Sequence, residues 1–447
     1  MEQTKVPLFS RNDLIRLIIP LVIEQLLAVT IGMADSVMVS SVGEAAVSGV
    51  SLVDSLNLLF INIFSALATG GAVVASQYIG RQDVKSACSA AKQLLYSITF
   101  LAAVTMALAL VFQRPLLKIF GNVDADVYQN CRTYLILSAL SYPFLAAYNA
   151  GAALFRAMGN SKVSMLTSLL MNLINICGNA ITIYGLNMGV AGAATASLIS
   201  RATSAVIMVI LLQHRQNLIH VTHLFRPELN FRMIKSILKI GIPNGMENGM
   251  FQVGKILVAS LVASFGTTAI AANAVGNNIA SIEVLPGSAI GLAMITVVGR
   301  CIGAQDYAQA KRYTLKLMAV AHICMGAICS VMFFLTPAAV GAFHLSDQTM
   351  SLAVEILRIY VVCAVIFWPS SFTLPTALRA SNDVKFTMTV SIVSMWVCRI
   401  GFSYVFGRWL NMGLLGVWLA MFCDWIFRDI CFLWRFFSGK WKNRQVI

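Results

Sequence analysis

Apolar stretches of about 20 residues recur along the whole chain, separated by polar connections. A stretch of this length crosses about 30 Å of hydrocarbon as an α-helix. Strands of alternating polarity, which a membrane β-barrel requires, are absent from the pattern. The pattern therefore predicts an all-α polytopic membrane protein with twelve transmembrane helices. The predicted spans are 14–39, 48–73, 93–113, 131–155, 163–185, 189–212, 236–263, 269–298, 313–336, 352–377, 386–407 and 412–436.

Basic residues cluster in every second connection between these spans. The intervening connections are short or mixed; "SSVGEAAVS", for example, carries Glu44 as its one charge. Because basic loops stay in the cytoplasm, the alternation predicts a multi-pass topology with both termini cytoplasmic. The compact loops favour a bacterial inner membrane. The basic positions are Lys5, Arg11 and Arg16; Arg81, Lys85 and Lys92; Arg156 and Lys162; Arg215, Arg226, Arg232 and Lys235; Arg300, Lys311 and Arg312; Arg379 and Lys385; and Lys440, Lys442 and Arg444.

Composition supports a membrane protein and argues against a nucleic-acid-binding one. The 447 residues are 58% hydrophobic and 11% charged, whereas a soluble domain carries about 25% charged residues. The net charge of +14 comes from basic residues scattered singly between apolar runs, which is typical of membrane topology. None of the ten cysteines forms a CxxC pair, so we expect packing roles for them and neither a metal site nor a cofactor.

The two halves of the chain repeat each other. A shift of 223 residues places Pro20 on Pro243 and Glu24 on Glu247. Such a repeat, held along a chain, indicates two equivalent structural units. Other matches at this offset are Gly43 with Gly266, Ala46 with Ala269, "IGRQD" (79–83) with "IGAQD" (302–306), Phe120 with Phe343, Asp124 with Asp347, Arg156 with Arg379 and Lys162 with Lys385; "NMGVAG" (187–192) meets "NMGLLG" (411–416) one residue later in register.

The repeat also predicts the domain organisation. Each half holds six spans, an even number, so both halves enter the membrane in the same orientation. They resemble the parallel repeats of transporters, related by pseudo-two-fold symmetry along the membrane normal. We predict an N-terminal six-helix lobe over 1–213, a cytoplasmic linker loop over 214–235 and a C-terminal six-helix lobe over 236–447.

Two carboxylates stand inside the first span. Glu24 and Asp35 are almost three helical turns apart, so they share one face about 16 Å apart along the axis. An ionisable group at the centre of a span costs about 2.5–3.5 kcal/mol on insertion scales, and its default interpretation is functional. We therefore take both as candidate cation-coupling residues. Pro20 and Pro243 each precede a glutamate and remove a backbone hydrogen bond, which makes them candidate hinges.

Three asparagines fall on one face of the fifth span. Asn172, Asn175 and Asn179 follow the spacing i, i+3 and i+7. Their amide oxygens can join a carboxylate around a hard cation, which prefers oxygen ligands. The alternative is hydrogen bonding between helices, which polar residues in membrane bundles commonly supply.

Four further charges lie inside predicted spans. Glu247 and Lys255 are separated by about 80° round one helix, so both border one predicted cavity. Asp54 in the second span and Glu283 in the eighth are further candidates for substrate contact. The alternative for Lys255 is a structural ion pair with Glu283 or Glu247.

Three stretches resemble the MATE family (multidrug and toxic compound extrusion). "MADSVMVSSVGEAAVSGVS" (33–51) is similar to the family's first-span D-T-x-x-V-G pattern. "ALFRAMGNSK" (153–162) and "NMGVAGAATASLIS" (187–200) match the corresponding stretches around spans four to six. The resemblance covers essentially the whole chain. It implies two lobes arranged as a V, driven by inward Na⁺ or H⁺, that expel amphipathic organic cations.

The resemblance also implies site residues. Asp35 matches the first-span aspartate of the family's cation site, and Asn175 matches its asparagine. Thr195 or Ser197 lies near the hydroxyl of that site. Asn179 occupies a place where many relatives have aspartate, so one negative charge is missing.

The C-terminal half departs from the family pattern. Gln252 and Trp368 stand where some Na⁺-driven relatives carry acids. We infer from the charge count that Glu24 and Glu247 compensate for the missing acids, which is not a feature of the family. The choice between Na⁺ and H⁺ as the coupling ion stays open.

The sequence therefore predicts a monomeric, cation-coupled antiporter in a lipid bilayer that exports amphipathic, cationic organic compounds by alternating access. An exporter or flippase of lipid-linked compounds or metabolites in the same superfamily is the alternative, and Lys255 favours it. An enzyme is disfavoured because HExxH, GxSxG and P-loop motifs are absent. The missing P-loop also argues against an ATP-driven pump, and the missing filter motif argues against a channel.

Overall fold

The computed structural model describes residues 7–118, 124–222, 224, 226, 228–343 and 345–443. The described residues are helical nearly throughout, and these ranges contain no strand. Their contacts form two compact units. We call residues 11–245 the first lobe, and residues 7–10 together with 246–443 the second lobe.

The first lobe contains seven helices and the beginning of an eighth, within its described residues. Its fifth span is α-helical to Asn179 and then continues as a π-helical turn. The elements are α1 (Arg11–Ser40), α2 (Glu44–Gly80), α3 (Val84–Val111), α4 (Gln113–Lys118), α5 (Ala125–Ala157), α6 (Ser161–Asn179) with its π segment Ala180–Gly185, α7 (Gly189–Gln213) and α8 (Phe231–Ala263).

The second lobe repeats this order, with more π-helix in the tenth and eleventh spans of the chain. The elements are the end of α8, α9 (Thr267–Glu283), α10 (Leu285–Gly303), α11 (Tyr307–Gly341), α12 (Asp347–Trp368), the π segment Pro369–Thr373, α13 (Leu374–Ala380), α14 (Val384–Val393), the π segment Ser394–Gly401, α15 (Phe402–Tyr404), the π segment Val405–Trp409, α16 (Gly413–Phe437) and a 3₁₀ turn Lys440–Asn443.

The predicted twelve-span fold is confirmed over the described part of the chain. Ten helices are long and apolar enough to cross a membrane. The other two spans, α8 and α16, have 33 and 25 residues but carry more polar side chains. Large apolar side chains stay open to the surroundings: Phe100 is 72% exposed and Phe334 80%. Such exposure is expected where hydrocarbon replaces water as the solvent.

The turn after the second span has the same structure in both lobes. Asp83 caps α3 by accepting a hydrogen bond from the Ser86 backbone N–H at 3.0 Å, and Asp306 caps α11 by accepting one from the Gln309 N–H at 3.0 Å. The hydroxyl and the backbone N–H of Ser86 lower the pKa of the Asp83 carboxyl. The repeat detected in "IGRQD" and "IGAQD" is thus a repeated helix start.

Small residues bring the helices of the first lobe close together. A Cβ at Gly151 of α5 would stand 2.8 Å from the Met208 Cβ of α7. A Cβ at Gly178 of α6 would stand 2.9 Å from the Ala196 Cβ, also on α7. Membrane helices associate by such close packing, because lipid provides no hydrophobic drive between them. The α6–α7 contact therefore fixes the geometry of the polar side chains described next.

Candidate functional site

A chain of polar side chains links α1, α6 and α7 inside the first lobe. Asn179 donates its amide N–H to the Asp35 Oδ1 at 2.6 Å and also to the Asn175 Oδ1 at 3.3 Å. Asn175 in turn donates to the Ser197 hydroxyl at 3.0 Å. We call Asp35, Asn175, Asn179 and Ser197 the Asp35 cluster. The structure brings together four of the six residues predicted for cation coupling.

Two buried oxygens on the asparagine face accept no hydrogen bond among the described residues. They are the Oδ1 atoms of Asn172 and Asn179, and the Asn179 side chain is completely buried. An unsatisfied buried acceptor is costly. Asparagine and carboxylate oxygens are ligands that a hard cation accepts. The cluster therefore offers oxygen ligands at a depth where water is scarce.

Two neighbouring polar residues take part in other contacts. Asn172 donates to the Leu27 carbonyl oxygen at 3.0 Å, which joins α6 to α1 one turn from the cluster. The Thr195 hydroxyl donates to the Ala191 carbonyl oxygen of its own helix at 2.7 Å. The predicted coupling role of Thr195 stays a prediction.

Asp54 belongs to a second polar group in the same lobe. Asn57 donates to the Asp54 Oδ1 at 3.1 Å, and the Tyr142 hydroxyl donates to the Asn57 Oδ1 at 2.8 Å. Arg201 on α7 donates to the Ser141 hydroxyl at 2.7 Å.

Glu24 lies in a different set of contacts from Asp35. Its Oε1 accepts from the Arg156 guanidinium at 2.9 Å, and its Oε2 accepts from the Ser164 hydroxyl at 2.7 Å. The Glu24 residue is 8% exposed, so α1, α5 and α6 meet at a buried ion pair. Arg156, which the sequence placed in a cytoplasmic connection, lies in the last turn of α5. Glu24 as a coupling residue stays a prediction.

Glu247 forms the same ion pair in the second lobe. Arg379, in the last turn of α13, donates to the Glu247 Oε1 at 2.6 Å. Both members are displaced by the repeat offset from Glu24 and Arg156. The alternative of a Glu247–Lys255 ion pair is therefore not realised in the structure. The prediction that Glu247 contacts substrate stays untested.

Both candidate hinge prolines lie inside continuous α-helices. Pro20 is in α1 and Pro243 is in α8, each about one turn before its glutamate. Each proline therefore removes a backbone hydrogen bond of its helix near a side-chain ion pair. Their hinge role stays a prediction.

The second lobe contains a half-open cavity of about 630 Å³. Its charged lining residues are Lys255 and Arg399, and six of its 17 lining residues are aromatic. Lys255 is the one member of the predicted substrate set that lines this cavity. The full lining, within the described residues, is Phe251, Lys255, Val258, Ala259, Asn273, Asn277, Ala280, Ser281, Val284, Tyr360, Trp368, Phe372, Arg399, Val417, Trp418, Met421 and Trp425.

Two other residues of the second lobe lie outside this lining. Glu283, at the end of α9, is completely buried, and neither of its carboxyl oxygens has a hydrogen-bond partner in the described structure. It forms no ion pair with Lys255 within that part of the chain. Gln252, which the sequence places on α8 close to Lys255 and thus also as a candidate for the cavity, is half-buried. The contact of Glu283 and Gln252 with substrate stays a prediction.

Sequence reasoning missed two intramembrane arginines of these sites. Arg201 lies in "ISRATS" of the sixth span and Arg399 in "VCRIG" of the eleventh. The signal was available, because a basic residue within an apolar run is as costly as an acidic one.

Two lobes of six spans, each with polar groups buried between its helices, define a polytopic transporter. The profile of the MatE family matches residues 20–181 and 243–405. The two matched segments begin 223 and end 224 residues apart, as the internal repeat does. The chain belongs to the MatE family. It is a multi-pass membrane transporter and not an enzyme.

Relatives of similar length match nearly the whole chain. A probable multidrug resistance protein NorM of Thermotoga maritima is 27% identical over 451 residues, covering 98% of this chain and 94% of its own length. An uncharacterized transporter, YisQ of Bacillus subtilis, is 28% identical over 454 residues, covering 99% and 97%. The similarity thus extends through both lobes.

Solved structures share the fold. An outward-facing multidrug resistance MATE transporter of the MOP superfamily superimposes with a TM-score of 0.90 at 21% identity, covering 96% of each chain. A MOP superfamily transporter from Pyrococcus furiosus, described as having a binding pocket of reverse polarity that suggests a different function, gives 0.90 at 20% identity over 97% of this chain and 96% of its own. At these identities the likeness establishes the fold.

Proposed function

We propose that the protein is a secondary antiporter that couples inward Na⁺ or H⁺ movement to export of amphipathic organic molecules by alternating access. The observation that carries this proposal is the Asp35 cluster. A carboxylate, two asparagines and a hydroxyl converge there from three helices of one lobe. A buried charge in a membrane bundle marks an ion pathway by default.

Binding of the ion at Asp35 changes what holds α1 in place. Asn179 donates to the Asp35 Oδ1 in the present arrangement. A cation on the carboxylate, or a proton on that oxygen, competes with this donor. Release of Asn179 removes the α1–α6 bond of the cluster, and Pro20 lets the start of α1 move separately. Occupancy of the cluster thereby shifts the balance between two conformations of the lobe.

Export requires that ion and substrate favour opposite conformations. An ion that stabilises one state lowers the affinity for a substrate that binds the other state. The substrate lowers the affinity for the ion by the same factor. The coupling set we propose is Asp35, Asn175, Asn179 and Ser197, with Thr195 beside it. Glu24 contributes by holding α1 to α5 through Arg156.

The proposed setting follows the distribution of charge. We assign the protein to a bacterial inner membrane, as a monomer with both termini and the basic connections in the cytoplasm. Its partners are the bilayer, the coupling cation and a small organic substrate, with no resident cofactor. The proposed domains are lobes 1–213 and 236–447, with 214–235 as a cytoplasmic linker.

A second candidate is an exporter or flippase of lipid-linked compounds. The basic pair Lys255 and Arg399 in the second-lobe cavity favours it, because lipid-linked substrates carry anionic head groups. The ion-binding chemistry of the first lobe favours the antiporter. Transport of a soluble organic compound driven by an imposed ion gradient decides for the antiporter.

The Asp35→Asn variant tests the proposal. Inside-out vesicles loaded with Na⁺ or with acid are diluted to create an outward-directed Na⁺ or H⁺ gradient, and the accumulation of ethidium and of naphthalene-2-sulfonate is followed by fluorescence. We expect Asp35→Asn to abolish gradient-driven accumulation of whichever compound the unmodified protein accumulates, since the variant has no carboxylate to bind the ion.

Asp83→Asn is the matched control, because it makes the same change at a helix start where asparagine also caps. We expect it to transport normally, at an equal content of protein in the vesicles. Normal accumulation by Asp35→Asn would refute the assignment of Asp35.

A further inference from the structure

The cavity of the second lobe has a basic lining without an acid. Lys255 and Arg399 are its charged residues, and the Lys255 Nζ lies 5.8 Å from the centre of the Phe251 ring. The Arg399 guanidinium carbon lies 5.6 Å from the centre of the same ring. Arg428, which is not among the lining residues, lies 5.5 Å from the same ring, so three cations surround one aromatic ring at the cavity wall.

The carboxylates inside the second lobe contact other side chains and do not line the cavity. Asp424 accepts from Arg428 at 2.9 Å and lies 3.6 Å from Arg399. Asp429 accepts from the Ser371 hydroxyl at 2.7 Å. Neither carboxylate lines the cavity, and neither does Glu283. The charged residues on the cavity lining are therefore both basic.

Arg399 keeps hydrogen-bonding capacity for a ligand. A guanidinium has five N–H donors in a planar fork, and Arg399 uses one nitrogen to approach Asp424. Arg428, by contrast, is committed to Asp424 and to Ser391 and Ser394 of α14 and its π segment. Lys255 is in no ion pair of the described chain, so its ammonium is equally available.

Aromatic rings that pack against one another form part of the remaining wall. Trp368 and Phe372 stack with ring centres 5.1 Å apart, and Tyr360 packs edge-on against Trp418 at 5.5 Å. The Trp418 indole N–H donates to Asn273 at 3.1 Å, which fixes the orientation of that ring. Pre-organised rings of this kind bind flat apolar groups at little entropic cost.

We propose that this cavity binds the exported substrate as an aromatic organic anion, with a carboxylate or sulfonate between Lys255 and Arg399 and the ring against Trp368, Phe372 and Trp418. This inference rests on the proposed function and reverses the sign of the predicted substrate charge. The volume of about 630 Å³ lies within the range of pockets that hold a whole drug-sized molecule.

A cationic ligand fits this lining poorly. It would add a third positive charge beside Lys255 and Arg399. An anion instead gives Lys255 a partner and Arg399 a second one besides Asp424, and a guanidinium–carboxylate or guanidinium–sulfonate contact is a strong, charge-assisted hydrogen bond. The acids predicted for ion coupling and for substrate contact, Glu24 and Glu247, are held by arginines.

A pair of probes with one ring system and opposite charge tests the proposal. Naphthalene-2-sulfonate and (2-naphthyl)trimethylammonium are titrated by calorimetry into the solubilised full-length protein. We expect the sulfonate to bind at least about tenfold more tightly than the ammonium. Lys255→Gln and Arg399→Gln each should weaken sulfonate binding about tenfold, the loss of one charge-assisted contact.

Lys316→Gln is the matched control, since it removes the same charge from an exposed position of α11 outside the cavity. It should leave sulfonate binding unchanged. Arg399→Gln also disturbs Asp424, so Lys255→Gln carries the decision if Arg399→Gln is not monodisperse. Equal binding of both probes, or unchanged sulfonate binding in Lys255→Gln, would overturn the proposal.

The Asp35→Asn variant separates this proposal from the proposed function. We expect it to bind the sulfonate as the unmodified protein does while failing to accumulate it under an ion gradient. Gradient-driven accumulation by Asp35→Asn refutes the coupling assignment alone. Loss of the sulfonate preference in the unmodified protein refutes the cavity assignment alone.

Discussion

At the scale of single residues, the ion pairs show how each lobe tolerates its buried glutamate. The partner of Glu24 is Arg156, 132 residues away, and the partner of Glu247 is Arg379 at the same separation. Each pair removes the penalty of an isolated charge in hydrocarbon. Because the whole pair repeats, we interpret it as a structural fastener between the first and fourth spans of each lobe.

If Glu24 and Arg156 act as a pair, substituting them should lower the stability of the protein in a non-additive way. Glu24→Gln or Arg156→Gln leaves one buried charge without its partner, which costs about 3 kcal/mol in comparable buried pairs. The double substitution should cost less than the two single losses added together. Thermal unfolding in detergent, followed by tryptophan fluorescence, measures all three variants.

Glu228→Gln provides the control for the fastener. Glu228 pairs with Lys92 at 3.6 Å, but its side chain is 83% exposed, and exposed pairs contribute about 0–1 kcal/mol. Its unfolding midpoint should hardly change. Additive losses in the Glu24 and Arg156 variants would show that the two residues do not act as a pair.

Asn179 offers a test of which ion is coupled. In Asn179→Asp a second carboxylate replaces an amide that lies 2.6 Å from Asp35, and two carboxylates at that distance repel. We expect lower thermal stability that is restored by whatever neutralises the pair: Na⁺ at constant pH, or acid at constant salt. Melting curves in Na⁺, in K⁺ and at two pH values distinguish these.

Asn179→Leu is the comparison for this variant: it removes the amide without adding charge, so only Asp35 remains to be neutralised, and its response to Na⁺ or acid should be smaller than that of Asn179→Asp. Full stability of Asn179→Asp in K⁺ at neutral pH would contradict the proximity on which the cluster depends.

The residues of the Asp35 cluster could be predicted from the sequence because helical spacing and the family resemblance point to the same positions. The partners of the glutamates could not. Helical spacing relates residues within one span, whereas Glu24 and Arg156 meet only when separate spans pack. The common offset of both residues in the repeat was a usable signal, and it was used for alignment only.

At the scale of elements, the π-helical segment Ser394–Gly401 explains a change of register. The two halves match at 223 residues as far as Lys162 and Lys385, and at 224 from Asn187 and Asn411 onward. A π turn takes one more residue than an α turn. We infer that this segment, which lies between the landmarks and has α-helix opposite it in α6, accommodates the extra residue. It also carries Arg399 into the cavity.

Close packing of α6 on α7 yields a prediction about the site. In Gly178→Ala the new Cβ would lie 2.9 Å from the Ala196 Cβ, so the two helices must separate. We expect this to stretch the Asn175–Ser197 bond and to reduce any stabilisation of the protein by Na⁺ or acid several-fold. Melting curves across ion concentrations measure it.

Gly32→Ala is the control on α1, where a Cβ meets nothing within 4 Å. It should keep the ion response. An unchanged response in Gly178→Ala would mean that the α6–α7 distance does not set the geometry of the cluster.

Helices and their order followed from the apolar pattern, but π-helix did not. Period and length identify a span, and hydrocarbon forces it to be helical. The hydrogen-bond shift of a π turn leaves almost no mark on composition, so the three π segments of the second lobe were outside the prediction.

At the scale of the whole molecule, one repeated scaffold carries two different chemistries. Helix starts, turns and the glutamate–arginine fastener are common to both lobes. The first lobe adds aspartates and asparagines, and the second adds Lys255 and Arg399 among aromatic rings. We interpret this divergence as a division of labour, with the ion handled in one lobe and the substrate in the other.

The division of labour was only half visible in the sequence. The acidic residues of the first lobe could be predicted because an acid inside an apolar span is unusual and because the family resemblance points to Asp35. In the basic half, Lys255 was predicted from its place inside a span, but Arg399 was not, because the positive-inside pattern counts arginines and lysines as topology signals. Position along the span, rather than residue type, separates Arg399 from the loop residues.

We propose that occupancy of the Asp35 cluster drives substrate export. The most direct test uses a substrate gradient to drive the ion in the reverse direction. Purified protein in proteoliposomes receives a gradient of naphthalene-2-sulfonate, and dyes inside report Na⁺ and pH. Linkage predicts that the substrate gradient moves one of these ions uphill in the opposite direction, and that Asp35→Asn abolishes the movement. Substrate flux without ion movement, or ion movement that persists in Asp35→Asn, would contradict the account.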